Sequence, residues 1–234
     1  QLLPVGTTAE LALHARGALS SLSVQPQASQ PGAVLQVKAV GLNFRDVLNV
    51  LGMYPGDPGP PGGDCAGIVN VGHSMHVLGL ASGSLRSYAT TDQRLLAAMP
   101  ERWSYEEASA MPTAWTTAWI CLEELVGMSS GCNVLVQAAT GGVGLVAVQC
   151  AQRAGTRVCA TAGRVEKQAF VQGLGVCMVS TTRDSAAFVA EMGSLLGSHA
   201  QLGVVLNSLT HDEYVADAAH LLGEGGRFVE IGKR

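Results

Sequence analysis

The sequence predicts an α/β protein in which a doubly wound parallel sheet follows a smaller, mostly β domain. Two observations lead to this fold class. Before about residue 110, short β-like segments alternate with proline and glycine, and from residue 111 onward apolar strands alternate with helical segments. This change of pattern predicts a domain boundary, so we assign 1–110 to the β domain and 111–234 to the α/β domain.

The first domain is expected to be antiparallel, because no segment long enough for a helical crossover separates its strands. A short helix is predicted at 43–51, and a loop at 55–63 consists almost wholly of proline, glycine and aspartate. The predicted strands are 33–40, 66–71, 87–90 and 94–98.

The second domain is predicted to be a parallel sheet, because strands and helices alternate along it. The predicted strands are 133–138, 157–161, 176–179, 202–206 and 227–231, and the helices between them are 143–154, 165–174, 185–196 and 212–222. A doubly wound nucleotide domain usually has a sixth strand, so we expect the last strand of this domain to be missing.

The composition is that of a compact globular chain. Of its 234 residues, 47% are hydrophobic and 14% charged, against roughly 25% charged in a typical soluble domain. The net charge is −4 and the basic residues do not cluster. These values exclude a disordered chain and do not indicate nucleic-acid binding.

Neither secretion nor a membrane span is predicted. The six cysteines form no C-x-x-C pair, so we expect reduced thiols, no zinc ribbon and a cytoplasmic location. The most apolar stretch, 134–151, is interrupted by glycines, which is typical of strand, turn and helix. The histidines lack metal-ligand spacing, and the G-x-S-x-G motif of hydrolases is absent.

A glycine-rich turn stands between the first strand and the first helix of the second domain. It reads A-x-G-x-x-G over 139–144, a variant of the dinucleotide-binding pattern. Gly141 would let the backbone approach a pyrophosphate, and Gly144 would allow the helix to pack closely on the strand. The alternative is a tight turn that binds no ligand.

The end of the next strand indicates which dinucleotide would bind. An NAD site usually has an acidic residue there, and this strand end carries none. Arg164 and Lys167 could instead contact a 2′-phosphate, which favours NADPH. The alternative is two solvated cations, which the dipole at the start of a helix mildly disfavours.

Three other residues are ambiguous when read from the sequence alone. Asn43 has the position of a helix N-cap, and Tyr54 could be a half-buried packing residue. Lys233 follows the fifth strand, at the edge of the sheet where ligands bind, although a lysine there is more often a solvated surface charge.

Five segments, in order and together extending over nearly the whole chain, resemble the enoyl reductase domains of type I polyketide synthases and animal-type fatty acid synthases. These are zinc-free members of the medium-chain dehydrogenase/reductase superfamily. The matching segments are GLNFRDVL at 41–48, LGMYPG at 51–56, AATGGVG at 138–144, VLNSL at 205–209 and GRFVEIGK at 226–233.

The resemblance implies a GroES-like substrate domain over 1–110 and a Rossmann domain that binds NADPH over 111–234. It implies reduction of the α,β double bond of an enoyl thioester carried on an acyl carrier protein. Hydride would go from NADPH to the β-carbon, and the α-carbon would then be protonated. Neighbouring domains of the synthase would be the other partners.

The resemblance also assigns roles to individual residues. Lys233 matches the proposed proton donor, and Tyr54 matches a position linked to the face on which an α-methyl substrate is protonated. Asn43 and Thr117 match positions beside the nicotinamide, and 163–167 matches the 2′-phosphate loop. The full set of implied cofactor residues is Asn43, Thr117, Thr140, Gly141, Gly142, Val143, Gly144, Gly163, Arg164, Lys167, Asn207 and Gly232.

The sequence departs from the family pattern in several places. Residues 63–65 stand where zinc-dependent relatives have a ligand motif, so no catalytic zinc is expected. The segment 71–80 lacks the usual strand entry, which makes this edge of the first domain uncertain. Trp115 replaces a smaller residue, and a carboxylate that partners the lysine would lie beyond residue 234. Two other functions therefore stay open: a stand-alone zinc-free quinone or enone oxidoreductase, and a degenerate, non-catalytic reductase module.

Overall fold

The structure is a computed structural model that describes residues 6–28, 35–181, 184–196, 201–209 and 212–232. It separates into two compact units, which we call the N-terminal unit (Gln1–Thr113) and the C-terminal unit (Ala114–Arg234). No helix in these described ranges is long and apolar enough to cross a membrane.

The N-terminal unit is built on antiparallel strands, as predicted. One pair consists of β1 (Ala9–Leu13) and β2 (Leu22–Pro26). The main sheet has five strands in the order β6-β3-β4-β5-β7. Its members are β3 (Leu35–Gly41), β4 (Asp64–Val71), β5 (His73–Leu80), β6 (Tyr88–Ala89) and β7 (Leu96–Ala98).

The segment whose structure was uncertain forms a regular hairpin. Strands β4 and β5 pair along their full lengths, from Asp64 opposite Leu80 to Val71 opposite His73. Gly72 makes the turn with φ +75°, a conformation that glycine adopts without steric cost. The short turn therefore leaves this part of the sheet intact.

Three helices follow or interrupt these strands. Helix α1 (Phe44–Val50) begins where predicted, and the Asn43 backbone N–H donates to Asp46 Oδ2 at 2.9 Å. Helices α2 (Tyr105–Ser109) and α3 (Pro112–Trp119) were not predicted. A π-helix (Ile120–Val126) continues α3 and ends at Gly127, whose φ is +61°.

The C-terminal unit contains the predicted doubly wound parallel sheet, with strand order β10-β9-β8-β11-β12. The strands are β8 (Asn133–Val136), β9 (Arg157–Ala162), β10 (Met178–Thr181), β11 (Leu202–Asn207) and β12 (Leu222–Glu230). The helices are α4 (Gly142–Arg153), α5 (Val165–Gly173), α6 (Ser185–Leu196) and α7 (Asp212–His220).

Both faces of this sheet are covered, which explains why its strands read as continuous apolar runs. On one face, Val134 and Val136 pack with Ala147 of α4. On the other face, Leu135 packs with Phe188 of α6. Hydrophobic burial on both faces therefore holds β8 at the centre of the unit.

The last strand begins earlier than the sequence predicted. Leu222 pairs with Leu202, but Arg227 pairs with Val204, so extra residues of β12 bulge out of the ladder between these two pairs. Gly225 lies in this bulge with φ +74°. Residues 223–226, which separate the predicted helix from the predicted strand, are therefore inside the strand, and α7 ends at His220 rather than 222.

Candidate active site

The strand order of the C-terminal unit predicts a ligand site at the carboxyl ends of β8 and β11. The chain winds outward from this pair in both directions, and ligands of doubly wound sheets bind at such a reversal of strand order. The Gln137 N–H donates to Leu206 O at 3.1 Å, and Ser208 Oγ donates to Gln137 O at 3.1 Å. These bonds hold the two strand ends together.

The glycine turn begins at the carboxyl end of β8, and its last glycine has the predicted packing role. A Cβ on Gly144 would lie 2.6 Å from Ala138 O and 2.7 Å from Ala139 Cα, closer than any real contact of this kind. The turn itself is tight, because Ala138 has φ +48° and its carbonyl accepts from the Gly141 N–H at 2.9 Å. Only glycine at 144 lets α4 approach β8 this closely.

The other two glycines leave the start of α4 open. Gly141 is the N-cap of this helix of 12 residues, and Gly142 is its first residue. Both are exposed, and a Cβ on either would meet no atom closer than 3.4 Å. The first N–H groups of a helix lack intrahelical partners and favour an anion. The turn, which includes half-buried Thr140 and Val143, therefore fits a diphosphate.

The end of β9 carries cations and no carboxylate. Gly163 follows the strand, Arg164 is the N-cap of α5, and Lys167 lies in its first turn. Both cationic side chains are exposed, and neither is bonded to another residue that the structure describes. They are therefore available to a phosphate group.

A row of polar side chains, which the sequence analysis did not identify, crosses the carboxyl end of the sheet. The pairing of β8 with its neighbours aligns Leu135 with Cys159 and Val205, so the residues two positions further on also share a face. These residues, all buried, are Thr161, Gln137 and Asn207, and Ser180 continues the row on β10. The sequence contained a signal for this row, because each of these strands has a polar residue at or just after its carboxyl end, on the same face of the sheet.

Hydrogen bonds within the protein satisfy most of this row. Thr161 Oγ1 accepts from the Ala138 N–H at 3.1 Å. Asn207 Nδ2 donates to Leu209 O at 2.9 Å and to Glu230 Oε2 at 2.8 Å. Asn207 therefore orders the loop after β11. In contrast, the buried side-chain amide of Gln137 has no hydrogen-bond partner among the described residues.

The end of β12 is ordered by the same carboxylate. The Gly232 N–H donates to Glu230 Oε1 at 2.7 Å. A Cβ on Gly232 would lie 2.8 Å from that oxygen, so the glycine fits this close approach. Lys233, the implied proton donor, lies outside the described residues.

In the N-terminal unit, Asn43 belongs to a network of buried polar groups. Asp64 is buried and accepts hydrogen bonds from the Thr113 N–H at 3.1 Å, from Thr113 Oγ1 and from the Asn43 side chain. Burial raises the pKa of the Asp64 carboxyl group. The sequence analysis missed this network because its members are far apart in the chain.

The same region contains the segment where zinc-dependent relatives have ligands. Burial raises the pKa of the Cys65 thiol to about 12, and the thiol donates to Gly79 O at 3.4 Å. A neutral thiol is a poor metal ligand. Among the described residues, no group of three or more histidine, cysteine, aspartate or glutamate side chains could hold a metal ion.

Tyr54 is half-buried at the start of the proline- and glycine-rich loop. The guanidinium carbon of Arg45 lies 5.7 Å from the centre of its ring. Arg45 and Asn43 also line a cavity of about 250 Å³ in this unit, together with Asp46, Gly62, Gly63, Leu80, Ala81, Ser82 and Thr113.

Helix α3 carries two residues that the sequence analysis singled out. Thr117 is half-buried, and Trp115 is exposed. Trp115 lines a groove of about 490 Å³ on the C-terminal unit with Trp119, Glu123, Gln149, Cys150, Arg153 and Ala154. The bulky side chain at 115 therefore forms a surface groove and does not disturb the core of this unit.

Comparisons with known proteins agree with this architecture. Residues 142–233 match the sequence profile of the zinc-binding dehydrogenase family. Erythronolide synthase EryA2 of Saccharopolyspora erythraea is 40% identical over 99% of the chain, and the spectinabilin polyketide synthase protein NorB of Streptomyces orinoci is 42% identical over 87%. The chain spans only 7% and 10% of the lengths of these two relatives.

Solved structures extend the similarity to three dimensions. The CurK enoyl reductase superposes with a TM-score of 0.88 at 32% identity, over 97% of the chain and 76% of CurK. The quinone oxidoreductase of Thermus thermophilus, whose structure is described with its NADPH complex, gives 0.76 at 32% identity, over 96% of the chain and 73% of that protein. Both similarities extend over the two units.

Proposed function

Because the chain belongs to the enoyl reductase family of type I polyketide synthases, we propose that it reduces the α,β double bond of an enoyl thioester with NADPH. The observation that carries this proposal is the open glycine turn at α4, together with two exposed cationic side chains, Arg164 and Lys167, after β9. The two features suit a dinucleotide that bears a 2′-phosphate.

Residues of the C-terminal unit hold the cofactor in this proposal. The N–H groups of the glycine turn, 140–144, bind the pyrophosphate, and Arg164 and Lys167 bind the 2′-phosphate from the start of α5. Asn207 contributes by ordering the loop after β11, and Gly163 and Gly232 contribute backbone at the ends of β9 and β12. When bound, NADPH supplies the hydride that goes to the β-carbon of the substrate.

Other residues act on the groups that react, which are the nicotinamide and the enoyl thioester. Asn43 and Thr117 flank the nicotinamide, and Lys233 donates the proton that the α-carbon takes up. An ammonium group near the thioester also stabilises the enolate charge that develops on its oxygen. Tyr54 determines which face of an α-methyl substrate receives the proton. The enoyl group arrives on an acyl carrier protein, and neighbouring synthase domains supply it.

A second candidate is a quinone or enone oxidoreductase with a free small-molecule substrate. The similarity to the Thermus thermophilus quinone oxidoreductase, at 32% identity, supports it. The two candidates differ in substrate, because an enzyme built for a carrier-bound thioester is expected to prefer pantetheine thioesters to quinones. A non-catalytic module would turn over neither substrate.

The test is a comparison of substrates with the natural full-length polypeptide that contains this chain. Oxidation of NADPH is followed with crotonyl-pantetheine and, separately, with a benzoquinone. We expect kcat/KM to be higher for the thioester, and Lys233→Met to lower kcat by about 10²-fold or more, the usual contribution of a general acid. Preference for the quinone would favour the second candidate, and no turnover of either substrate would favour the non-catalytic module.

A further inference from the structure

The loop that carries Tyr54 lacks regular secondary structure. A backbone hydrogen bond holds its start, where the Tyr54 N–H donates to Leu48 O at 3.2 Å, and side chains hold its middle. Three of its glycines, Gly52, Gly56 and Gly59, have φ of +68°, +79° and +68°. These φ values lie in the left-handed region, which glycine adopts readily and which regular strands and helices do not use. The orientation of the loop therefore depends on the groups that bind it from outside.

One arginine binds the far part of the loop. Arg16 Nη2 donates to Asp57 Oδ1 at 3.2 Å and to Gly59 O at 3.4 Å, and its Nε donates to Asn49 Oδ1 at 3.0 Å. The ion pair is largely solvent-exposed, with 44% and 83% of the two side chains accessible. Arg16 therefore binds the loop at Asp57 and Gly59 and not at Tyr54 itself.

A second arginine binds both the loop and the tyrosine. Arg45 Nη2 donates to Pro58 O at 2.5 Å, and its guanidinium carbon lies 5.7 Å from the Tyr54 ring centre. Arg45 occupies the first turn of α1, where the helix dipole disfavours a cation. The contacts with Pro58 and Tyr54 offset this unfavourable position, since a planar guanidinium can contact an aromatic ring and donate in its own plane.

We propose that Arg45 is the positioning residue for Tyr54, and that it thereby determines the face on which the α-carbon of the substrate is protonated. This inference rests on the proposed function. There, hydride adds to the β-carbon, the electron pair of the double bond moves to form an enolate, and the α-carbon takes a proton from the lysine donor. With an α-methyl substrate, protonation on the two faces yields opposite configurations. Arg45 acts on this choice only through the orientation of Tyr54.

The experiment measures product configuration with the natural full-length polypeptide and 2-methylcrotonyl-pantetheine. The variants are Arg45→Met, Arg45→Lys, Tyr54→Phe and the matched control Arg16→Met, which also removes loop contacts. The two product epimers are separated by chiral chromatography, and kcat and KM are recorded. We expect Arg45→Met to change the epimer ratio about threefold or more in the direction of Tyr54→Phe, as the loss of one cation–π contact implies. Arg45→Lys should restore it only in part, because lysine lacks the planar fork, and Arg16→Met should keep the wild-type ratio.

A second measurement separates this inference from the proposed role of Tyr54. With 3-fluorotyrosine incorporated, the ¹⁹F signal of residue 54 is identified by its loss in Tyr54→Phe. We expect this signal to shift in Arg45→Met and to stay unchanged in Arg16→Met. If Tyr54→Phe leaves the epimer ratio unchanged, the role of Tyr54 fails, and the ¹⁹F result alone decides the role of Arg45. A signal unaffected by Arg45→Met, or equally affected by both arginine variants, overturns the inference.

Discussion

The buried Asn207 amide donates a hydrogen bond of 2.8 Å to Glu230 Oε2, which joins the carboxyl ends of β11 and β12. The same amide holds the turn at Leu209, and the same carboxylate accepts from the Gly232 N–H. One pair of side chains therefore orders the chain that follows each strand, as far as Leu209 after β11 and Gly232 after β12.

This pair is expected to be energetically coupled. Asn207→Ala removes the donor to the Leu209 carbonyl and to Glu230 Oε2, so the unfolding free energy should fall by about 2 kcal/mol. In a double-mutant cycle with Glu230→Ala, measured by urea denaturation, the coupling should be about 1 kcal/mol. The control is Ser208→Ala with Glu230→Ala, because Ser208 bonds to Gln137 instead. Full additivity of Asn207→Ala and Glu230→Ala would show that the bond contributes nothing.

The close approach of α4 to β8 predicts the effect of a single methyl group. Gly144→Ala should lower the unfolding free energy by about 1–3 kcal/mol, because the methyl group would overlap the Ala138 carbonyl. Gly193→Ala is the control. Residue 193 lies in α6 with no atom within 4 Å of a new Cβ, and there the same substitution should be neutral or stabilise by up to about 1 kcal/mol. Equal effects of the two substitutions in denaturant unfolding would contradict the packing role of Gly144.

The Asp64 carboxyl group predicts a pH dependence of stability. Burial raises its pKa in the folded state, so its contribution to stability is complete below the unfolded value of about 3.9. This contribution is lost as pH rises through the raised folded value. Asp64→Asn removes the ionisation, so between pH 4 and 7 the variant should lose less stability than the wild type. Urea unfolding at half-unit steps of pH measures the difference.

Asp92→Asn is the control for this experiment. Hydrogen bonds from Arg94 lower the pKa of the exposed Asp92 carboxyl group, so its contribution changes only as pH falls below about 3.9. Over pH 4–7 this variant should follow the wild type. If Asp64→Asn follows the wild type as well, the buried carboxyl group does not titrate as inferred.

The parts of the fold that could be predicted from the sequence have local causes. The strands of the parallel sheet are apolar on both faces, and the close packing at Gly144 follows from a glycine between strand and helix. Strand β5 could not be predicted, because the side chains of His73–His76 are exposed and show no alternation. Its pairing with β4 and β7 makes it a strand.

The sites divide in the same way. Arg164 and Lys167 could be proposed from the sequence because they follow a strand and begin a helix, which is a local pattern. The bonds from Thr113 and Asn43 to Asp64 join residues far apart in sequence, so only the tertiary structure reveals them. The same holds for the contact between Arg45 and Tyr54, because nothing in the sequence specifies how the intervening loop turns back.

Cofactor selectivity is the most direct test of the account, and a parallel titration with NADPH and NADH, followed by nicotinamide fluorescence, measures it. We expect NADPH to bind at least about tenfold more tightly, from charge-assisted contacts with the 2′-phosphate. Arg164→Ala with Lys167→Ala should remove this preference and leave NADH binding unchanged. Arg157→Ala, which removes the same charge at the opposite end of β9, should keep it. Equal affinity for both nucleotides in the wild type, or a preference that survives the double substitution, would contradict the proposed site.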